Sequence, residues 1–425
     1  MMNASLLWRS THGGRTSLRP GGLLGRLLYV TCGVGLSHLA YAADQAAVPG
    51  PGVTMATIGD SLSTGAVTHP ALAFDGRVLW DIFSGSVAVS AKASDLPSGF
   101  NNGLVDPLAA PQRLWPTSRE FFGGPDWIWR NALQSISRSY LDTAEYSWGY
   151  LLALRLGVPP AQLAIGGEDG ARVERMSRHI DRVLEANGGV LPPRLVIFYT
   201  GNDLCGASMA EVTSAADYGQ DVERGLRYLL RNAKAAPGGS DIYLAAHMNI
   251  LQLLTSESIL AKKVRAFGGE STCRDLRQRG FRPTAEQAEA LRTKPVGGDA
   301  ANSPEAWYFS LVMPPSPAGF CTTLFSPGEG RAHEEEVHAL ANRIRSFREQ
   351  QVQALQRVTT AQSAKAAAAG APALRLHFIE ETGSVKFLGE DIGQDCFHLS
   401  ILGQAKVAEA MLSGIKAVES KRTIN

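Results

Sequence analysis

A three-layer α/β sandwich around a parallel sheet is the fold this sequence predicts, on three observations. Strand-like apolar runs alternate with helical patterns, the rhythm of βα units. The runs are short and continuous, as in strands covered on both faces. Two of them end in turn residues, Gly59-Asp60-Ser61 and Gly201-Asn202-Asp203, at the carboxyl ends where parallel sheets bind ligands.

The expected strands are 53–58, 162–165, 195–200 ("LVIFYT"), 242–247 ("IYLAAH") and 374–380 ("LRLHFIE"). Between and after them come helical stretches. Ser147–Leu156 places Trp148, Leu151, Leu152 and Leu156 at helical spacing and is stopped by Gly157 and Pro159. Val173–Ala186 and Tyr218–Ala233 follow the second and third strands. Glu334–Val358 keeps Val337, Leu340, Ile344 and Phe347 in register, and Ser400–Val418 closes the chain. Residues 67–140, rich in Trp, Phe, Gly and Pro, and 255–330 break the rhythm and read as insertions into one domain. The Ala-rich stretch 359–373 reads as a helix tail or linker.

Composition bounds the function. With 44 % hydrophobic and 19 % charged residues the chain is globular rather than disordered. A net charge of +1 gives no reason to expect a nucleic-acid partner. The first 26 residues carry Arg9, Arg15, Arg19 and Arg26 and no acid; an apolar run, 27–40, and small residues at Ala40 and Ala42 follow. That order describes a secretory signal over 1–43, leaving 44–425 as the exported domain. The apolar run is short of the roughly 20 residues a membrane span needs; the alternative is an uncleaved N-terminal anchor. Export leaves Cys205, Cys273, Cys321 and Cys396 in an oxidising compartment, where four cysteines allow three pairings. Cys273 and Cys321 share one irregular stretch, so a Cys273–Cys321 bond is expected.

Several side chains carry chemistry. Ser61 follows the first strand, where it can be a nucleophile or a helix cap. Asn202 follows the third and can turn its amide NH2 toward an oxyanion; Gly-Asn-Asp is otherwise an ordinary turn. "DCFH" before the last helix sets Asp395 three residues from His398, a spacing that lets the carboxylate accept the imidazole Nδ1–H. A nucleophile needs a base, the base an orienter, and the oxyanion its donors. All these roles fall at carboxyl ends of expected strands. "HEEEVH" at 333–338 spaces its histidines five apart, not the i, i+4 of a zinc protease helix, and there is no G-x-S-x-G elbow. His247 reads as structural or pocket-lining. Trp115, Phe121, Phe122, Trp127 and Trp129 read as insertion core or as the wall of an acyl or aryl pocket.

The set "GDSL", "GND" and "DCFH", with "YSWGYLLALRLG" and "AIGGEDGARV", resembles the SGNH hydrolase superfamily (GDSL esterases and lipases), in particular its phospholipase B-like branch. The resemblance covers roughly half of the mature chain and leaves both insertions unexplained. It implies a flavodoxin-like sheet of five strands. It also implies Ser61 as nucleophile, His398 as general base and acid, and Asp395 as the group that fixes the His tautomer. The Ser61 N–H, the Gly167 N–H and the Asn202 side chain would form the oxyanion hole. Thr200 stands where the family has a glycine, and the Asn usual before Gly167 is absent. In such a fold the loops of Cys205 and Cys396 meet beside the site, so a Cys205–Cys396 bond is expected; the alternative is two free thiols.

The expectation is an exported ester hydrolase that needs no metal or cofactor. Its partner is a small-molecule or lipid ester; no nucleic acid and no stable membrane span are expected, and any contact with a membrane surface would be transient. The rivals are a carbohydrate O-acetylesterase acting on cell-wall or exported glycans, and a non-catalytic binding protein of the same fold. Acyl transfer to an alcohol other than water would use the same residues.

Overall fold

The structure, a computed structural model, describes residues 52–66, 68, 91–100, 110–114, 143–266, 269–280, 284–287, 289, 321–325, 330–366 and 373–423, all within the compact unit Pro51–Asn425. The expected leader at 1–43, the aromatic group Trp115, Phe121, Phe122, Trp127 and Trp129, and much of both expected insertions lie outside the described residues.

The strands are β1 (Met55–Gly59), β2 (Gln112–Arg113), β3 (Leu163–Ile165), β4 (Arg194–Phe198), β5 (Ser240–Ala245), β6 (Lys263–Ala266), β7 (Gly269–Thr272) and β8 (Leu374–Ile379). Six of them form one sheet in the order β2-β3-β1-β4-β5-β8, and every pairing in it is parallel. β6 and β7 pair separately and antiparallel. The five expected strands are all present, and the sheet gains β2 at its edge. Two residues, Gln and Arg, carry no apolar run or alternation, so only tertiary pairing with β3 reveals this strand. The central strands owe their continuous apolar runs to burial on both faces: every residue of β1, and Leu195–Phe198 of β4, is buried.

The helices are α1 (Ser61–Thr64), α2 (Trp148–Arg155), α3 (Met176–Ala186), α4 (Ala215–Asn232), α5 (Gln252–Thr255), α6 (Glu257–Leu260), α7 (Cys273–Gln278), α8 (Thr322–Phe325), α9 (Gly330–Ala366) and α10 (Ile401–Thr423). They pack in two groups: α2 against α10, and α3 and α9 against α4. α3 lies on the connection from β3 past β1 to β4, and α4 and α9 on those from β4 to β5 and from β5 to β8; all three connections run in the same direction across the sheet, so right-handed crossovers carry these helices to one face. Gln404 of α10 is fully buried and accepts the Trp148 N–H at the start of α2, at 3.0 Å.

The order places β1 between β3 and β4. The chain leaves β1 toward one side of the sheet and returns to build the other side. That reversal opens a crevice at the carboxyl ends of β1 and β4. Gly59, the last residue of β1, lies opposite Phe198 of β4, and a Cβ on it would stand 2.0 Å from the Phe198 carbonyl oxygen. A side chain there must spread the strands beneath the crevice. Gly59→Ala is therefore expected to destabilise the fold by at least about 1–3 kcal/mol, read as a lower denaturation midpoint in urea.

Candidate active site

The turn after β1 is built on Asp60. Its side chain caps α1, Oδ1 accepting the Leu62 N–H at 3.1 Å. Oδ2 reaches across to the loop after β4, accepting the Thr200 N–H at 2.7 Å and the Thr200 hydroxyl at 2.8 Å. Burial pushes the Asp60 carboxyl up, and these bonds pull against it. The Thr200 hydroxyl thus holds Asp60. Capping by Asp60 leaves Ser61 at the first helical position, where its N–H needs no partner inside the helix.

The Asp395–His398 pair sits on a stiff turn. Ile392 and Leu399 form an antiparallel bridge, and the Gly393 N–H donates to the His398 carbonyl at 2.6 Å. Asp395 Oδ1 accepts the backbone N–H groups of Phe397 and His398, both at 3.0 Å. Asp395 Oδ2 lies 2.6 Å from His398 Nδ1, and His398 Nε2 lies 3.1 Å from Ser61 Oγ. The neutral imidazole with its proton on Nδ1 donates to Asp395 and accepts from the Ser61 hydroxyl. Burial opposes the charged imidazole, but the Asp395 carboxylate outweighs it, so the His398 pKa stands above its ordinary value. Burial likewise opposes ionised Asp395, but His398 and the backbone donors hold its carboxyl below the usual range.

Asn202 opens a short helical turn after β4, and its Nδ2 donates to the Ala171 carbonyl at 3.1 Å. Next to it the Asp203 carboxylate accepts the Val173 N–H and the Thr213 hydroxyl, each at 3.0 Å; burial raises its pKa to about 7. The loop after β3 is thereby tied to the loop after β4. Gly166 and Glu168 donate back to β1, at Thr57 and Gly59. The Gly167 N–H between them has no partner among the described residues. A Cβ on Gly167 would come within 2.9 Å of Ser63 Cβ and 3.1 Å of the Asp60 carbonyl, so this glycine lies directly against the Ser61 turn.

Behind these loops runs a buried polar chain. The Tyr199 hydroxyl meets His179 Nδ1 at 2.7 Å, and Arg182 donates to Glu168 at 3.1 Å; His179 Nε2 is 3.5 Å from Glu168. Burial works against the Glu168 charge, yet His179 and Arg182 hold its pKa near 2.

The disulfides differ from expectation. The bonds are Cys205–Cys321 and Cys273–Cys396, not Cys273–Cys321 and Cys205–Cys396. Closeness in sequence misled here, because residues 255–330 do not act as one irregular stretch. Their described parts divide between two loops. α8 sits on the Asn202 loop, where the Thr323 hydroxyl donates to the Leu204 carbonyl at 2.6 Å and the Thr323 N–H to Gly206 at 3.1 Å. α7 sits on the Asp395–His398 turn, where Arg277 donates to the Cys396 carbonyl at 2.6 Å. Cys396 has φ +58, the left-handed region, and is the sole non-glycine residue there among those described.

Ser61, Asn202 and His398 line one small pocket, together with Leu62, Met248, Ile250, Leu253, Phe387, Ile392, Phe397 and Leu399. Gly167 and Asp395 are not among the residues that line it. His247 is fully buried and does not line it; burial lowers its pKa to about 4. His333 and His338 lie on α9, and among the described residues no group of His, Cys, Asp and Glu is arranged to hold a metal ion. No described helix is long and apolar enough to cross a membrane, and two disulfides suit an oxidising compartment. No protein-family model matches the chain, and no curated protein matches it.

Sequence reading did not find the Thr200–Asp60 bond or Arg277. The first was hidden because Thr200 looked like a defect in a motif. Thr200→Val keeps the shape but removes one bond to a buried carboxylate, and a loss of about 1.5–3 kcal/mol is expected, measured by chemical denaturation.

Proposed function

We propose that this protein is an exported ester hydrolase of the SGNH type with Ser61 as its nucleophile. The observation that carries the reading is the line Asp395–His398–Ser61, hydrogen-bonded at 2.6 and 3.1 Å, at the wall of an apolar pocket. The strand order supports it, because without β2 the sheet follows the flavodoxin-like sequence 2-1-3-4-5.

The chemistry follows from the atoms. Ser61 Oγ attacks the acyl carbonyl while its proton passes to His398 Nε2, and Asp395 stabilises the imidazolium. The oxyanion takes the Ser61 N–H, the Gly167 N–H and the Asn202 Nδ2–H that Ala171 leaves unused. His398 returns the proton to the departing alcohol, and water then cleaves the acyl-enzyme by the same path. A wall of Leu, Ile, Met and Phe suits an acyl chain, lipid esters included, better than a sugar ring; this is what sets the acyl-ester reading above a glycan O-acetylesterase.

The test treats the purified protein and Ser61→Ala with a fluorophosphonate probe, then assays p-nitrophenyl esters of increasing chain length. Labelling should vanish in the variant and kcat fall by about 10⁴-fold or more. Each methylene that enters the pocket should raise kcat/KM about fourfold. A folded wild type that neither labels nor turns over ester would leave a binding protein, and a preference for acetylated glycans would leave the O-acetylesterase.

The pH dependence has a definite sign. His398 must be neutral to accept the Ser61 proton, and its pKa is raised. kcat/KM should climb with pH through a midpoint above about 6.5 and then level off. The stabilisation this histidine gives when charged is complete below its unfolded pKa and is lost as pH rises through the folded one. Activity appears as that contribution fades, which parallel rate and denaturation profiles would display.

A further inference from the structure

We infer that Arg277, which lies outside the proposed catalytic set, is the positioning residue of the Asp395–His398 pair, gripping its turn and tying it to the Asn202 loop. The inference rests on the ester-hydrolase reading and assigns a use to the segment around α7, which the family resemblance leaves unexplained.

The argument begins with spacing. α7 opens at Cys273, behind a capping box of Thr272 and Asp275. Cys273 and Arg277 are four residues apart, hence on one face of the helix one turn from each other. Both reach the same residue. The Cys273 sulfur bonds the Cys396 side chain, and the Arg277 guanidinium donates to the Cys396 carbonyl at 2.6 Å. Cys396 lies between Asp395 and Phe397 in the left-handed region, at φ +58. A non-glycine residue stays there only when its surroundings hold it.

The same guanidinium also donates to the Leu324 carbonyl. Leu324 belongs to α8, beside Cys321, whose disulfide runs to Cys205 in the Asn202 loop. One planar group therefore spans the two halves of the site, a task its rigid fork suits and an ammonium does not. Its burial makes the arrangement costly: Arg277 is 1 % exposed, and burial lowers its pKa to about 10 while the Asp395 carboxylate resists that shift. It remains charged at neutral pH. The other charges that reach the pair are Asp60 after β1, Asp169 after β3 and Lys262 before β6; Asp391 acts on Lys262. Lys262 also donates to the Ile392 carbonyl in the same turn.

The experiment compares the full chain with Arg277→Lys and Arg277→Met. It measures kcat and KM on p-nitrophenyl butyrate, the acid limb of kcat/KM, the His398 imidazole pKa by NMR, and the melting temperature. Loss of the positive charge should raise the His398 pKa and the acid limb together, by about half a unit or more. In the Met variant kcat should fall tenfold or more with KM within twofold. Lysine should keep the wild-type limb and lose several-fold in kcat, because one ammonium cannot span both carbonyls. A folded Met variant with wild-type kcat and limb overturns the inference. So does a kcat loss that follows only the unfolded fraction, with the limb unmoved. If Met does not fold, Lys decides: reduced kcat at unchanged KM supports the role, and wild-type kcat refutes it. The NMR titration needs no turnover. A wild type inert toward esters with a His398 shift in the variant therefore defeats the hydrolase reading, not the charge coupling.

Discussion

One buried carboxylate organises the crevice. Asp60 accepts three hydrogen bonds, one from its own turn and two from Thr200 just past the end of the neighbouring strand. Bonds to a buried charge are among the stronger ones a protein makes, and these cross the point where the sheet's connections reverse direction. They fix the turn that presents Ser61 relative to the loop that presents Asn202. Gly59 lets β1 approach β4 closely enough for the reach to succeed. The pocket and the alignment of His398 on Ser61 both depend on that spacing.

Around this centre the loops are held by polar ties as well as by buried apolar residues such as Val173 and Leu204. Asp203, Asn202 and Arg172 stitch the loop after β3 to the loop after β4. Tyr199, His179 and Glu168 do so from behind. Loops need such ties because their buried backbone polar groups have no ladder to pair them. A hydrogen-bonded network also admits few alternative arrangements, since breaking one member leaves a buried group unsatisfied. The loops that carry Ser61, Asn202 and His398 are thus each tied to their neighbours by hydrogen bonds to buried groups.

Much of this was legible in the sequence. Ser61, Asn202 and the Asp395–His398 pair stood out because each is a chemically distinctive residue at the end of an apolar run. The runs themselves followed from burial on both faces. What remained hidden depends on contacts between distant segments. β2 is two polar residues whose strand character comes only from pairing with β3. Arg277 looks like any helical arginine until α7 is placed on Cys396. The cysteine pairing depended on where α7 and α8 dock, and nothing in 255–330 states that they dock on different loops.

The pairing that results is interlaced: of the four bonded cysteines the first in the chain joins the third, and the second joins the fourth. Each bond encloses one end of the other. Any single break of the main chain between Cys205 and Cys396 therefore leaves at least one disulfide joining the two pieces. The nested pairing expected from the sequence would tie the pieces in the same way. In the interlaced form each bond also carries a different half of the site. A protease that cut the chain once in that interval would still leave one covalent molecule, separable only under reducing conditions.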